Sequence, residues 1–305
     1  MINQGSPANW ISFFYIFFAK LYFRSNFRGS TRLLNLFFKI LPFRPGSVTH
    51  PLGFSWEIDS RESLWTFVTS CEKYTTKIVS SQAPVINTFI CIGANRGWYP
   101  LLVGQKNKSA MIIAFEPNSV TYRILERNVI ANKNQSQLFS LAIGETESSA
   151  NLFSYDESND GMCTLYPTSS LGKSSSILEE VSIESLDHFL KGRYTDLGKS
   201  LILMDIEGSE MQALSGAKAF LEMNRPNVIC EVNPILLTAS GSNYQELFSF
   251  MHHLNYKAFW IDERQELRRL ENLEVLPHVA ILPYGTGANY LFVPFNGVEV
   301  LHTNV

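Results

Sequence analysis

From Pro84 onward the sequence alternates short apolar, strand-like runs with helix-like segments, and few folds accept that rhythm. Strands are predicted at Val85–Ile92, Met111–Phe115, Gln137–Ile143, Leu201–Met204, Val228–Val232, Lys257–Ile261 and Asn289–Val293. Helices are predicted between them at Tyr99–Gln105, Val120–Ala131, Glu210–Met223 and Tyr244–Leu254. A helix between successive strands returns the chain to the same edge, so the strands run parallel and helices cover both faces. The expected fold is therefore α/β, with one doubly wound seven-stranded sheet of Rossmann type. The stretch Ser154–Ser176 breaks the rhythm, being polar, Ser-rich and without periodicity. It reads as a long loop, and such loops are disordered or part of a functional mouth.

A chain of 305 residues, 45% hydrophobic, accommodates one such domain with a short accessory segment. Its net charge of -3 gives no reason to expect a nucleic-acid partner. Cys71, Cys91, Cys163 and Cys230 are scattered, with no paired spacing and no neighbouring histidine cluster. They read as reduced thiols of a cytoplasmic protein, which excludes a disulfide frame and a zinc site.

Charge divides the chain. No acidic residue precedes Glu57, while Lys20, Arg24, Arg28, Arg32, Lys39 and Arg44 punctuate a segment dense in aromatics. Its longest uncharged apolar run, Trp10 to Ala19, is half of the ~20 residues that a spanning helix needs. The basic residues follow that run and no small-residue cleavage site is evident, so it is not a signal peptide either. Two placements remain open. Phe13, Phe14, Phe17, Phe18 and Leu21 form a helical face that suits an anionic membrane surface, with the protein peripheral at the inner side; equally, the segment suits a helical cap on the main domain. The expected division is a basic, aromatic helical segment over 1–56, a connecting helical region over 57–84 and the main domain over 85–305.

The first predicted strand runs into the turn IGANRG. Gly93 and Gly97 let the backbone approach a ligand there without a Cβ in the way. The next strand ends in AFEPN, placing Glu116 where a carboxylate grips the hydroxyls of a ribose. A dinucleotide pyrophosphate calls for G-x-G-x-x-G, but Asn95 stands at the middle glycine, which argues against an NAD-dependent oxidoreductase. A nucleoside without phosphate, S-adenosylmethionine, fits better.

Taken together, FICIGANRGWYP, IIAFEPNSVTYRILERNVIAN, SLDHFL, LILMDIEGSEMQALSGA, ICEVNP and NYLFVP resemble the FkbM family of S-adenosylmethionine-dependent methyltransferases, in the family's order, from Val85 to Pro294. The resemblance implies the seven-stranded class I methyltransferase fold and O-methylation of a hydroxyl on a sugar, saccharide or other natural product. It implies that Cys91, Gly93, Asn95 and Gly97 belong to the methionine end of the donor site and that Glu116, with Pro117 and Asn118 of the same motif, belongs to the ribose end. Ala142 is then near the adenine. Asp205 positions or deprotonates the acceptor, Glu207 orients donor or acceptor, and Glu231 and Asn233 line the acceptor side.

Simpler roles compete. Gly97 also serves helix packing, and Asp205 and Glu207 also suit a helix N-terminus. His188, His252 and His253 read as surface residues. Metal-free transfer is expected, ahead of a divalent ion held by Asp205, Glu231 and Asn233. One departure stands out: the family pattern has an aspartate where this chain has Cys91. Loss of that carboxylate leaves a methyltransferase-like binding module without turnover as the second reading.

Overall fold

The structure, a computed structural model, describes residues 46–69, 71–155, 163–171, 174–262, 267–270 and 287–295. The basic, aromatic face expected over Phe13 to Arg28 lies outside them, so neither of its two placements is decided. Among the described residues no helix is long and apolar enough to cross a membrane.

The described chain starts with an antiparallel hairpin, β1 (Gly46–Thr49) and β2 (Ser55–Ile58), followed by helices α1 (Arg61–Thr69) and α2 (Lys73–Gln82). These are part of the main domain. Phe54, Trp56, Ile58, Leu64 and Phe67 are buried in one cluster with Phe89, Trp98 and Leu101, and each such side chain contributes roughly 1.5–3 kcal/mol by leaving water. Asn132 and Asn128 accept from the backbone N–H groups of Ser55 and Glu57. The expected boundaries at 56/57 and 84/85 therefore cut through a shared core, and the described part of the first segment is a hairpin, not a helix.

Next come β3 (Thr88–Ile92), α3 (Trp98–Lys106), β4 (Met111–Phe115), α4 (Ser119–Ala131) and β5 (Gln137–Phe139). A second, four-stranded sheet follows, made of β6 (Ala142–Gly144), β7 (Ser148–Ser154), β8 (Cys163–Thr164) and β9 (Ser176–Ser185). The main fold resumes with α5 (Leu186–Leu190), β10 (Ser200–Met204), α6 (Glu210–Ser215), α7 (Lys218–Asn224), β11 (Asn227–Val232), α8 (Pro234–Ala239), α9 (Tyr244–His253), β12 (Tyr256–Ile261), β13 (Leu267–Arg269) and β14 (Ala288–Pro294).

The large sheet has the order β13-β12-β14-β11-β10-β3-β4-β5. The run from β5 through β11 is parallel, while β14 inserts antiparallel between β11 and β12. Without the short edge strand β13 this is the seven-stranded sheet that the sequence predicts. Every residue of β3 and of β10 is buried, as in strands covered on both faces. Their side chains alternate: Ile90 and Ile92 enter one core layer, Phe89 and Cys91 the other.

Three expectations are corrected. The predicted strand Gln137–Ile143 is two strands in different sheets, β5 and β6, because the chain leaves the large sheet after Phe139. The predicted helix Glu210–Met223 breaks at Gly216, where a Cβ would lie 2.0 Å from the carbonyl oxygen of Gly144. Within the supposed loop Ser154–Ser176, residues 163–164 form β8 against the end of β7.

The doubly wound order reverses around β3, which has β4 on one side and β10 on the other. Ligands of such sheets bind beyond the carboxyl ends of the strands at that switch.

Candidate functional site

At that switch a cleft of about 650 Å³, open solvent at its mouth included, is lined by the ends of β3, β4 and β10, by β6, and by the strap around β8. The β3 turn forms its floor. Backbone bonds from Gly93 and Ala94 N–H to the Phe115 carbonyl tie the turn to β4, and the Asp205 N–H bonds the Ile92 carbonyl at 3.1 Å. Gly93 has φ +79° and stands so close to β10 that a Cβ would lie 2.0 Å from the Asp205 carbonyl oxygen. Glycine is required there twice over, by conformation and by contact.

Glu116 closes the β4 side and is 7% exposed. Its Oε2 accepts from the Asn95 N–H at 2.8 Å and its Oε1 from the Asn118 N–H at 2.9 Å. A carboxylate has about four acceptor sites, so each oxygen keeps one for a hydroxyl donor. Burial pushes the Glu116 carboxyl up to about 7, against the pull of those two backbone bonds. Asn95 lines the cleft too; its Nδ2 reaches Glu62 at 3.4 Å, and its Oδ1 is a buried acceptor without a hydrogen-bond partner.

The other wall carries acids. Ligand oxygens of Asp205, Glu207 and Glu231 lie within 4.8 Å of one another. Asp205 follows β10 directly and keeps a face open to the cleft, although protein mass surrounds its other sides. Burial raises all three carboxyls, and mutual repulsion raises Glu207 and Glu231 further. A hydrogen bond shared with Glu231 works the other way on Asp205, which is raised less than its partner. Among the described residues no lysine or arginine is ion-paired with any of the three.

The structure keeps some predicted site residues in the cleft and removes others. Gly93, Asn95, Glu116, Pro117, Ala142, Asp205 and Glu207 line it. Glu231 joins the acid cluster behind it. Cys91 does not reach it: the thiol points into the core and is 0% exposed, and its burial beside Asp205 and Glu116 pushes it well above the usual thiol range. Gly97, at φ +95°, precedes α3 and packs under Leu125, where a Cβ would lie 2.6 Å from Cδ1. Asn118 and Asn233 cap helices. The Asn118 Oδ1 accepts from the Val120 and Thr121 N–H groups, and the Asn233 Oδ1 from those of Ile235 and Leu236. Asn118 still touches the strap, donating to the Cys163 sulfur at 3.5 Å.

Three contributors escaped the sequence reading. Glu210, 1% exposed, accepts from the Gly208 and Ile206 N–H groups and so fixes the turn that carries Asp205 and Glu207. Burial pushes its carboxyl up to about 7. Glu72, at the start of α2, accepts from the Tyr99 hydroxyl and adds its repulsion to Glu207 and Glu231. Thr164, on the strap, donates to the Glu207 carbonyl at 2.7 Å. Only Glu210 left a signal, as the acid at the first position of a predicted helix. Glu210→Ala strands the buried Gly208 N–H and is expected to cost about 1–3 kcal/mol of stability; urea denaturation measures it.

An open sheet of this order, with a carboxylate closing the second strand and a glycine turn beneath the cleft, defines a class I methyltransferase. The sequence profile described as the Methyltransferase FkbM domain matches residues 92–258, more than half of the chain, and the chain belongs to that family. The methyl donor of this family is S-adenosylmethionine. The chain is 30% identical over 157 residues to Methyltransferase sdnD of Sordaria araneosa and 27% identical over 140 residues to Methyltransferase 1 of Beauveria bassiana. These alignments take in 43% and 41% of this chain and 60% and 55% of the two relatives. Among solved structures, the FkbM methyltransferase of Methylobacillus flagellatus aligns with 75% of this chain and 52% of its own, at 13% identity and a TM-score of 0.41.

The residues present fit the donor. Glu116 offers two acceptors to the ribose hydroxyls, and the partnerless Asn95 Oδ1 offers one to an ammonium. Gly93 leaves the backbone bare beside them.

Proposed function

We propose that the protein transfers the methyl group to a hydroxyl oxygen of a sugar, saccharide or other hydroxylated natural product. The observation that carries this reading is the placement of Asp205, a carboxylate hydrogen-bonded to Glu231, at the end of β10 with one face on the donor cleft. A hydroxyl acceptor must lose a proton as it gains the methyl group, and a group that takes it has to stand at the donor.

Each part of the wall has a task. Glu116 binds the ribose, Asn95 meets the amino-acid end, and the apolar side chains of Leu141, Ile143 and Leu152 exclude water around the base. When bound, the donor supplies a methyl on a sulfonium, which passes to the acceptor oxygen as the carbon–sulfur bond breaks and leaves a neutral thioether. Asp205 aligns the hydroxyl and receives its proton late in the transfer, since an alkyl hydroxyl is a weak acid. Glu231 holds Asp205 in place, and Glu207 borders the acceptor. The non-catalytic reading depended on Cys91 belonging to the donor site; with the thiol inside the core, Glu116 and Asn95 stand without it.

Incubation with isotopically labelled donor and a panel of hydroxylated sugars and saccharides, read by mass spectrometry, tests the reading. Label on an ether oxygen supports it; label on nitrogen or carbon only overturns it.

The donor site gives its own prediction. Glu116→Ala removes two acceptors and is expected to weaken donor binding by about 1.5–3 kcal/mol, the range for hydrogen bonds to a charged group. Calorimetric titration with S-adenosylhomocysteine measures this. The free carboxyl titrates near 7 and accepts two hydroxyl bonds only when ionised, so wild-type affinity should rise with pH through that range and the variant's should not. The stability term has the opposite sign: a carboxyl raised above its unfolded value stabilises the fold fully below that value and loses its contribution as pH rises through about 7.

A further inference from the structure

We propose that Asp205, Glu207 and Glu231 together hold one hard divalent cation, of the magnesium or manganese type, at the acceptor end of the cleft. This rests on the reading of that end as the acceptor side.

Geometry is the first argument. An octahedral ion with oxygen ligands at about 2.1 Å places neighbouring ligand oxygens about 3 Å apart and opposite ones about 4.2 Å apart. The three carboxylate oxygens lie within 4.8 Å of one another, an upper bound a little wider than that envelope, and small side-chain rotations close them onto one ion. They come from two adjacent strand ends, β10 and β11, and from the turn after β10, where the Glu207 backbone is held at φ +51°. All-oxygen sets of this kind suit magnesium, calcium and manganese over the softer metals.

A second, independent observation points to a ligand. Ser209 is 2% exposed and lines the same cleft beside Asp205 and Glu207, and its hydroxyl has no hydrogen-bond partner. It precedes α6 without capping it. A buried hydroxyl left unpaired costs about 1–3 kcal/mol, and an ion or its water removes that cost.

Charge is the third argument. Three carboxylates crowd here, Glu72 and Glu210 add further repulsion, and no lysine or arginine of the described residues is ion-paired with the three. A divalent ion supplies the positive charge that the described residues do not bring to this cluster. Asn233, a ligand only in the second-ranked divalent alternative read from the sequence, spends its side-chain oxygen on capping α8 and is not in the set. An ion here would draw the acceptor hydroxyl toward the donor and acidify it, with an Asp205 oxygen still free to take the proton.

Manganese(II) titrations of the full chain, followed by electron paramagnetic resonance, test this. One saturable site per chain is expected, displaced by magnesium. Glu231→Gln and Glu207→Gln should each weaken it at least tenfold, and Ser209→Ala, a change too small to unfold the turn, severalfold. S-adenosylhomocysteine affinity is measured on the same samples. A wild-type chain without a saturable site, or a site equally tight in all three variants, overturns the proposal, while retained binding of the analogue leaves the donor reading standing. Failure of the wild-type chain to bind the analogue sinks the donor reading instead.

Discussion

Asp205→Asn is expected to slow methyl transfer about 100-fold or more while leaving donor affinity nearly unchanged. The substitution keeps the shape of the side chain and removes its capacity to take a proton, and a positioned acid–base group contributes on the order of 10²–10⁴ to a rate. In the proposed binding mode the donor's own contacts run through Glu116 and the β3 turn, on the opposite wall. Glu231 complicates the reading usefully: it is hydrogen-bonded to Asp205, so an asparagine amide has a ready partner and the turn should stay in place. Single-turnover transfer from pre-bound donor separates the chemical step from binding. A wild-type single-turnover rate in a folded Asp205→Asn protein would exclude Asp205 as the proton acceptor. A rate loss matched by an equal loss of donor affinity would make it a donor-site residue.

The parts of this site that were legible in the sequence are those whose chemistry is fixed by strand ends. Gly93, Glu116 and Asp205 each follow the last residue of a buried parallel strand, so locating β3, β4 and β10 located them. Direction within a buried strand is another matter. In β3 all five residues are buried, and a strand that is apolar on both sides carries no alternation to say which face Cys91 takes. Only the packing of Phe89 and Cys91 under the N-terminal hairpin and α3 settles it. The hairpin is outside the motif-bearing region, which is also why Glu72 went unseen.

Helix caps were the second feature left out of the sequence reading, and here the signal was present. Asn118 precedes Ser119-Val120, and Asn233 precedes Pro234, the arrangement of an N-cap followed by proline at the first helical position. Both asparagines close a strand in a motif and also open a helix, and the second duty takes their side-chain oxygens. The small sheet was hidden for a different reason. It exposes much of its surface, so Ser148–Ser154 and Ser176–Ser185 read as polar, with Leu152 and Val181 as its buried contacts. A two-residue break at Ser140–Leu141 between β5 and β6 leaves the apolar pattern running on, although the chain has changed sheets.

Gly93→Ala should produce the largest loss of stability, on the order of 3–5 kcal/mol, the range reached by strain combined with overpacking. Two costs add. A left-handed backbone conformation costs an L-residue about 1–2 kcal/mol, and Gly93 has φ +79°. The new methyl group would then stand 2.0 Å from the Asp205 carbonyl oxygen and 3.0 Å from its carbonyl carbon. Backbone cannot rotate away as a side chain can, so relief requires the β3 turn to part from β10. That parting would loosen the bonds from Gly93 N–H to Phe115 and from Asp205 N–H to Ile92, which hold donor floor and acid wall together. Gly192→Ala isolates the first cost, because Gly192 has φ +74° with nothing within 4 Å of a Cβ. Urea denaturation should therefore show a loss of about 1–2 kcal/mol for Gly192→Ala and a clearly larger one for Gly93→Ala, which should also lose donor binding under conditions where it is still folded. Equal losses in the two variants would mean that the β3 turn has room for a side chain, and the account of Gly93 as the point where the donor floor meets the acid wall would fall.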